Sequence, residues 1–344
     1  MRPLSIGDAV SSTDEVDDTG YVCPMILPKP RGNLSEWVFH RLRSVTDEPR
    51  PWSGAPIPGA TEDEDAAIAL WALHELSYGG FEDVSEHAEQ DLAAQATRTH
   101  LERELEQRLR SRWVGRPVEP VEVPAAIDEL VAGDDGPSLA AFVHRRADRD
   151  QVLELLRQRS VYHLKEADPT TWVVPRLPTR AKAALMELQF DEYGDGDPNR
   201  LHSHLFACGL EAVGLRAEYG AYIDDALPEV LEMNNALSMF GLRRRLRGAA
   251  VGHLAAFEAT SSLPSRRMVQ GLERLDFVEP MVRYYSEHVE ADAVHEQLAA
   301  RDICGTLAAD EPAQAQEVLF GAFTCLDLEA RFARAMFTAW GVEP

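Results

Sequence analysis

With 344 residues and a formal net charge of −24, the chain can bury a large core and is too acidic to favour nucleic acid or an anionic membrane surface. No apolar run approaches the length of a membrane span, and the N-terminal stretch lacks the basic and hydrophobic regions of a secretory leader. Cys23, Cys208, Cys304 and Cys325 are scattered without a C-x-x-C, so the expectation is a cytoplasmic, soluble protein with no disulfide scaffold.

Residues 1–60 are rich in Pro, Gly, Ser and Asp (DAVSSTDEVDD, PKPRG, EPRPWSGAPIPG) and read as an irregular acidic arm, with Trp37 and Phe39 as an anchor. From Thr61 the pattern turns helical. EDEDAAIALWALHEL opens on acids that suit a helix N-terminus, and LERELEQRLRSRW and RDQVLELLRQRSVYHL carry apolar residues three and four apart. VGRPVEPVEVP connects these two runs, and residues 61–160 are read as accessory helices. Residues 161–344 hold further helical runs, from RAKAALMELQFDEY to AQAQEVLFGAFTCLDLEARFARAMFTAW, and are read as the functional core. Alternating strand patterns are nearly absent and no repeat is evident, so the predicted fold is an all-α bundle.

Within that core, carboxylates and imidazoles sit on apolar backgrounds where charge is costly unless paired or metal-bound. Glu166 in YHLKEADPTTW precedes a helix break, where it can also cap the helix or pair with Lys165 or Arg176. Glu192 and His202 flank YGDGDPNRL, whose glycines and Pro198 end one helix and start another, so the two residues meet as helix ends. Glu258 in GHLAAFEATSS needs a buried partner, for which Ser261, Ser262 or an arginine are the plain candidates. His288, Asp292 and His295 form an H-x-x-x-D-x-x-H run whose i, i+4 and i+7 offsets lie on one helical stripe. Aimed at a single spot, these N,N,O donors suit iron or manganese better than structural zinc; the alternative is a solvated polar face. His74 and Glu75 fit structural or substrate-channel roles, His204 faces away from His202 on its helix, His253 can support Glu258, and His163 reads as a polar residue near a helix end. Arg243, Arg244, Arg245 and Arg247 form a solvated basic run from which one residue can turn inward to bind a substrate carboxylate.

The order and spacing of these residues resemble the heme-oxygenase-like diiron oxidases and oxygenases, also called iron-containing redox enzymes. The resemblance spans roughly residues 65–344 and rests on YHLKEADP, LQFDEYGDGDP, GLRRRLRGAAVGHLAAFE and EHVEADAVHEQ. It implies a heme-oxygenase-like helical bundle over residues 61–344 and a metal centre made of Glu192, His202, Glu258, His288, Asp292 and His295, with Glu166 as an additional carboxylate. No catalytic residue beyond these ligands is implied. Two Fe(II) ions would be the cofactors, O2 the co-substrate, and an external electron donor such as a separate reductase a partner. In ligand order the chain is similar to the N-oxygenases of this family, which implies N-oxygenation of a small amine or amino acid in a specialised pathway. Desaturation or C–C cleavage of an amino acid or fatty acid is the alternative on the same site. A homodimer is one open state of assembly, and a metal-free helical binding protein is the rival outside enzymes.

Overall fold

The computed structural model describes residues 25–46 and 56–343; of residues 290–294 only the helical backbone is described. Among the described residues the chain is helical and forms no strand, as the all-α expectation requires. None of these helices is long and apolar enough to cross a membrane.

The arm expected to be irregular needs correcting in its middle, because Asn33–Arg43 forms a helix, α1. Its apolar residues Leu34, Val38, Phe39 and Leu42 recur at helical spacing and are buried. Each such side chain contributes about 2 kcal/mol, which holds a helix too short to persist alone. The helix is hard to see in the sequence because its cap comes from elsewhere. Gly32 at the N-cap offers no side chain. Instead Asp65, in α2 (Asp63–Glu75), accepts from the backbone N–H groups of Leu34 at 3.1 Å, Ser35 at 2.7 Å and Thr61 at 2.8 Å. Burial alone would raise the Asp65 pKa, but these donors outweigh it and hold the carboxyl below its usual range. Residues 1–24 and 47–55 of the expected arm lie outside the described residues.

After α3 (Leu92–Arg112), α4 (Val123–Ala132) and α5 (Leu139–Arg145) comes α6 (Arg149–His163). It opens on a reciprocal cap: the Gln151 N–H donates to Asp148 at 2.9 Å, and the Asp148 N–H donates to the Gln151 side chain at 3.0 Å. The remaining elements are the single-turn α7 (Asp168–Thr171), α8 (Thr179–Glu192), α9 (His202–Ala212), α10 (Pro228–Leu242), α11 (Arg247–Arg274) and α12 (Glu279–Gln297). A π-helical stretch over Leu298–Gly305, α13 (Thr306–Asp310) and α14 (Ala315–Trp340) complete the chain.

α11 is the axis of the bundle and packs against α14, α12 and α5. Its first half, RGAAVGHLAA, is built of small residues because the α14 backbone lies directly on it. A Cβ added at Gly252 would stand 1.9 Å from the Val318 carbonyl oxygen, and one at Gly321 would stand 2.0 Å from that of Ala249. Only glycine fits at either place. The contact fixes the rotation of α11 and therefore the direction in which Glu258 projects.

Candidate metal centre

Four helices and a turn supply the charged cluster. Glu166 lies in the turn between α6 and α7, Glu192 ends α8, His202 begins α9, Glu258 sits midway along α11, and His288 and His295 are on α12. The α8–α9 connection is forced by left-handed backbone at Gly194 (φ 69°), Asp195 (φ 57°) and Gly196 (φ 83°). Gly194 is also sterically required, since a Cβ there would lie 2.6 Å from the Arg200 carbonyl carbon and the Leu201 nitrogen. This reversal brings Glu192 Oε2 to 3.1 Å from His202 Nδ1.

The residues separate into two buried triads, Glu166 with His202 and His288, and Glu192 with Glu258 and His295. Within each triad the donor atoms lie within 4.8 Å of one another. The expectation that the α12 stripe converges on a single spot is corrected here. A separation of seven residues raises His295 by about 10 Å along the helix axis relative to His288, so one helix serves both triads. Asp292 belongs to the same stripe, but its side chain lies outside the described residues.

Several atoms in the cluster are buried without a hydrogen bond, namely Glu166 Oε1, His202 Nδ1 and His295 Nδ1. They nevertheless stand close to opposite partners: His202 Nδ1 is 3.1 Å from Glu192 Oε2, Glu166 Oε1 is 3.9 Å from His202 Nδ1 and 3.8 Å from His288 Nε2, and His295 Nδ1 is 3.5 Å from Glu258 Oε2. Lone pairs that converge without bonding to each other are what a cation site looks like, since buried polar groups otherwise find partners. The electrostatics agree. Burial would lower the pKa of each imidazole, yet Glu166 overrides it and pushes His288 up to about 10, and Glu258 pushes His295 up to about 9. His202 is raised against its burial by Glu192. The carboxylates therefore demand positive charge in this pocket.

Neighbouring groups fix the orientation of the donors. The Glu166 carboxylate uses Oε2 for Tyr284 Oη at 3.0 Å and His163 Nδ1 at 3.0 Å, leaving Oε1 to face the two imidazoles. His288 Nδ1 donates to the Tyr284 carbonyl oxygen at 2.8 Å, which sets the tautomer and leaves the Nε2 lone pair for the cluster. Asp191 Oδ2 stands 3.0 Å from His295 Nε2 and plays the same part for Nδ1. Asp191 and Tyr284 do not stand out in the sequence, and His163 reads there only as a polar residue near a helix end. The available signals were adjacency to Glu192 for Asp191 and the one-turn offset from His288 for Tyr284.

Other polar candidates are occupied elsewhere. His74 bridges Asn235 and Glu102, each at 3.1 Å, and Glu75 pairs with Lys165 and accepts from Tyr219 at 3.0 Å. Arg243, Arg245 and Arg247 pair with Glu102, Glu106 and Glu311. Ser261 donates to the Glu258 carbonyl oxygen at 3.1 Å.

A cavity of about 20 Å³ lies against both triads, touching Glu166, Glu192, Glu258 and His288, with Tyr162 and Phe257 among its walls. It has room for about one water-sized molecule. On the other side, Asp191, His202 and His295 border an open cleft of about 440 Å³.

Residues 153–330, just over half of the chain, match the family described as iron-containing redox enzyme. The chain is also similar to a nitrosourea synthase from Streptomyces achromogenes subsp. streptozoticus, at 30% identity over 159 residues. That alignment takes 46% of this chain and 34% of the relative, so the chain spans about a third of the relative's length. Among solved structures, a CADD-like protein of unknown function from Nostoc punctiforme PCC 73102 superposes with a TM-score of 0.50 at 17% identity. The superposition covers 63% of this chain and 96% of that one, and it supports the helical fold.

Proposed function

The chain belongs to the iron-containing redox enzyme family, and on that premise we propose that it is a diiron oxygenase that places an oxygen atom of O2 on the nitrogen of a small amine or amino acid. The observation that carries the reading is the pair of buried triads, each mixing imidazole and carboxylate, with unsatisfied donor atoms turned toward one another. Imidazole and carboxylate together suit redox iron, and neither group of three contains a thiolate. Glu166, His202 and His288 would hold one ion and Glu192, Glu258 and His295 the other, with Asp292 proposed as a seventh ligand from its place in the H-x-x-x-D-x-x-H run alone. When bound, the iron supplies the redox chemistry by which O2 is activated.

The protein's own residues do the rest. Tyr284 and His163 keep one oxygen of Glu166 engaged so that the other stays aimed. The Tyr284 carbonyl and Asp191 fix the tautomers of His288 and His295. The small cavity excludes bulk water from the place where oxygen and the substrate nitrogen must meet. The overall reaction, R–NH2 with O2, two electrons and two protons giving R–NHOH and water, draws its electrons from a separate reductase. N-oxygenation takes further support from the similarity to a nitrosourea synthase.

Anaerobic titration with Fe(II) followed by metal analysis should give two irons per chain. Incubation with a panel of primary amines, a chemical reductant and isotopically labelled O2 should put label on nitrogen. An unlabelled alkene or a lost carbon fragment from amino or fatty acids would move the assignment to an oxidase on the same metals. Absence of bound iron would sink both.

A further inference from the structure

A second pocket lies beside the metal cavity, with a volume of about 210 Å³. It is bounded by the loop before α5, by α6, by the middle of α11, by Tyr285 of α12 and by α14. The two spaces share one lining residue, Phe257. The Phe257 ring packs edge-on against Tyr162 at 5.3 Å, and Tyr162 in turn lies 5.1 Å from His163, so the partition is a single layer of rings. A molecule in the larger chamber therefore has its end one side chain away from the triads.

We infer that this chamber holds the body of the organic substrate, with Phe257 as the partition its reacting end must pass, and that the substrate is an amine with an apolar chain rather than a carboxylic acid. The inference rests on the oxygenase reading and narrows it. Leu139, Leu155, Met268, Leu326 and Ala333 give the chamber walls that favour a hydrocarbon body. The charged groups among the lining residues discriminate between head groups. Arg159 is held by Glu329 through two hydrogen bonds, at 2.7 and 2.6 Å, and so has little to offer an incoming anion. His163 Nδ1 is engaged by Tyr284 Oη at 2.7 Å and Glu166 Oε2 at 3.0 Å. At the mouth stands the exposed carboxylate of Asp134.

Pro264 lies inside α11, so the Thr260 carbonyl lacks its usual helical donor, and both residues line the chamber. An amine can use that acceptor and a carboxylate cannot. A carboxylate in the chamber would be desolvated beside Glu329 and Asp134 with no free cation among the lining residues. An amine would meet Asp134 first, under the field of a protein whose net charge is −24. The cleft of about 440 Å³ sets Glu187, Asp191, Arg200 and Arg283 around Phe190 and Leu298, a mixed lining that suits a hydrocarbon less well than the chamber does.

The test is calorimetry on anaerobic Fe(II)-loaded protein with two probe series, straight-chain primary amines from propyl to decyl and the matching alkanoates. Amines should bind with affinity rising along the series to a cut-off, and alkanoates should bind at least about tenfold more weakly. Ala330→Leu should shorten the cut-off and Met268→Ala should lengthen it, each changing affinity about tenfold per methylene near the limit, with iron content unchanged. The inference is overturned if alkanoates bind as well as amines, or if neither variant moves the cut-off. It is also overturned if Leu298→Trp in the open cleft abolishes amine binding while Ala330→Leu leaves it intact. Amine binding with the expected cut-off in a protein that takes no iron would defeat the oxygenase reading and leave the chamber standing. Full iron loading with no amine binding would do the reverse.

Discussion

From Arg247 to Ala256, α11 lies against α14 so closely that glycine carries the contact, whereas from Phe257 onward the same helix borders two cavities and carries Glu258 into a cluster of buried charge. The first half leaves no space between backbones. The second faces Glu166 Oε1, His202 Nδ1 and His295 Nδ1, which other elements hold there without hydrogen bonds, and room for a small molecule. The contrast shows how the protein keeps an electrostatically unfavourable pocket. Packing stability is concentrated one to two turns away, on the helix that presents one of the donors.

The sharpest way to break the comparison is to disturb the packed half. Gly252→Val places branched carbon where even a Cβ would stand 1.9 Å from a carbonyl oxygen. The helices must separate, and a loss of about 3 kcal/mol or more is expected, read as a collapse of the thermal transition in circular dichroism. At the charged end the opposite outcome is expected. His288→Ala should leave the chain folded, at the cost of the stability that the imidazole gives the metal-free protein by balancing Glu166. Metal analysis should nevertheless show iron falling to one per chain or fewer, with turnover abolished. If iron loading is unchanged, His288 is not a ligand.

A subtler change sharpens the distinction between donors and the groups that aim them. Tyr284→Phe removes the hydroxyl that holds Glu166 Oε2, and iron affinity should weaken about 10- to 100-fold while stoichiometry stays at two. Competition with a chromophoric chelator measures it. The smallest effect concerns the one ionisable side chain between Gly248 and Ala256. His253 is fully enclosed, and desolvation lowers its pKa to about 4 although Glu329 pulls the other way. The unfolded chain, with an ordinary histidine near 6.5, binds the proton more readily than the folded one. Stability is therefore lost as the pH drops below about 6.5, and His253 alone should contribute a loss of about 1.4 kcal/mol between pH 7.5 and 5.5. Denaturant midpoints at the two pH values, compared with those of His253→Gln, check the sign.

Local grammar made much of this legible in the sequence. Helical periodicity marked the runs from Thr61 onward, and the glycines around Asp195 announced that Glu192 and His202 would meet as helix ends. What could not be read depends on neighbours distant in sequence. α1 was hidden because Asp65 caps it from another helix. The division of His288 from His295 follows from axial rise, which the angular pattern alone does not express. Asp191, His163 and Tyr284 look ordinary until one sees which atoms they face.

The same Asp65 sets a timetable. Its carboxylate closes the first turn of α1 across a sequence separation of 31 residues, so that turn cannot be completed until the later segment has been made. At typical synthesis rates the wait is roughly two to six seconds. Once the protein is complete, the Leu34 and Ser35 amides are bonded to a carboxylate that belongs to α2. Their hydrogens should exchange with solvent only when the two helices part, making this pair of amides a reporter of a single local opening event.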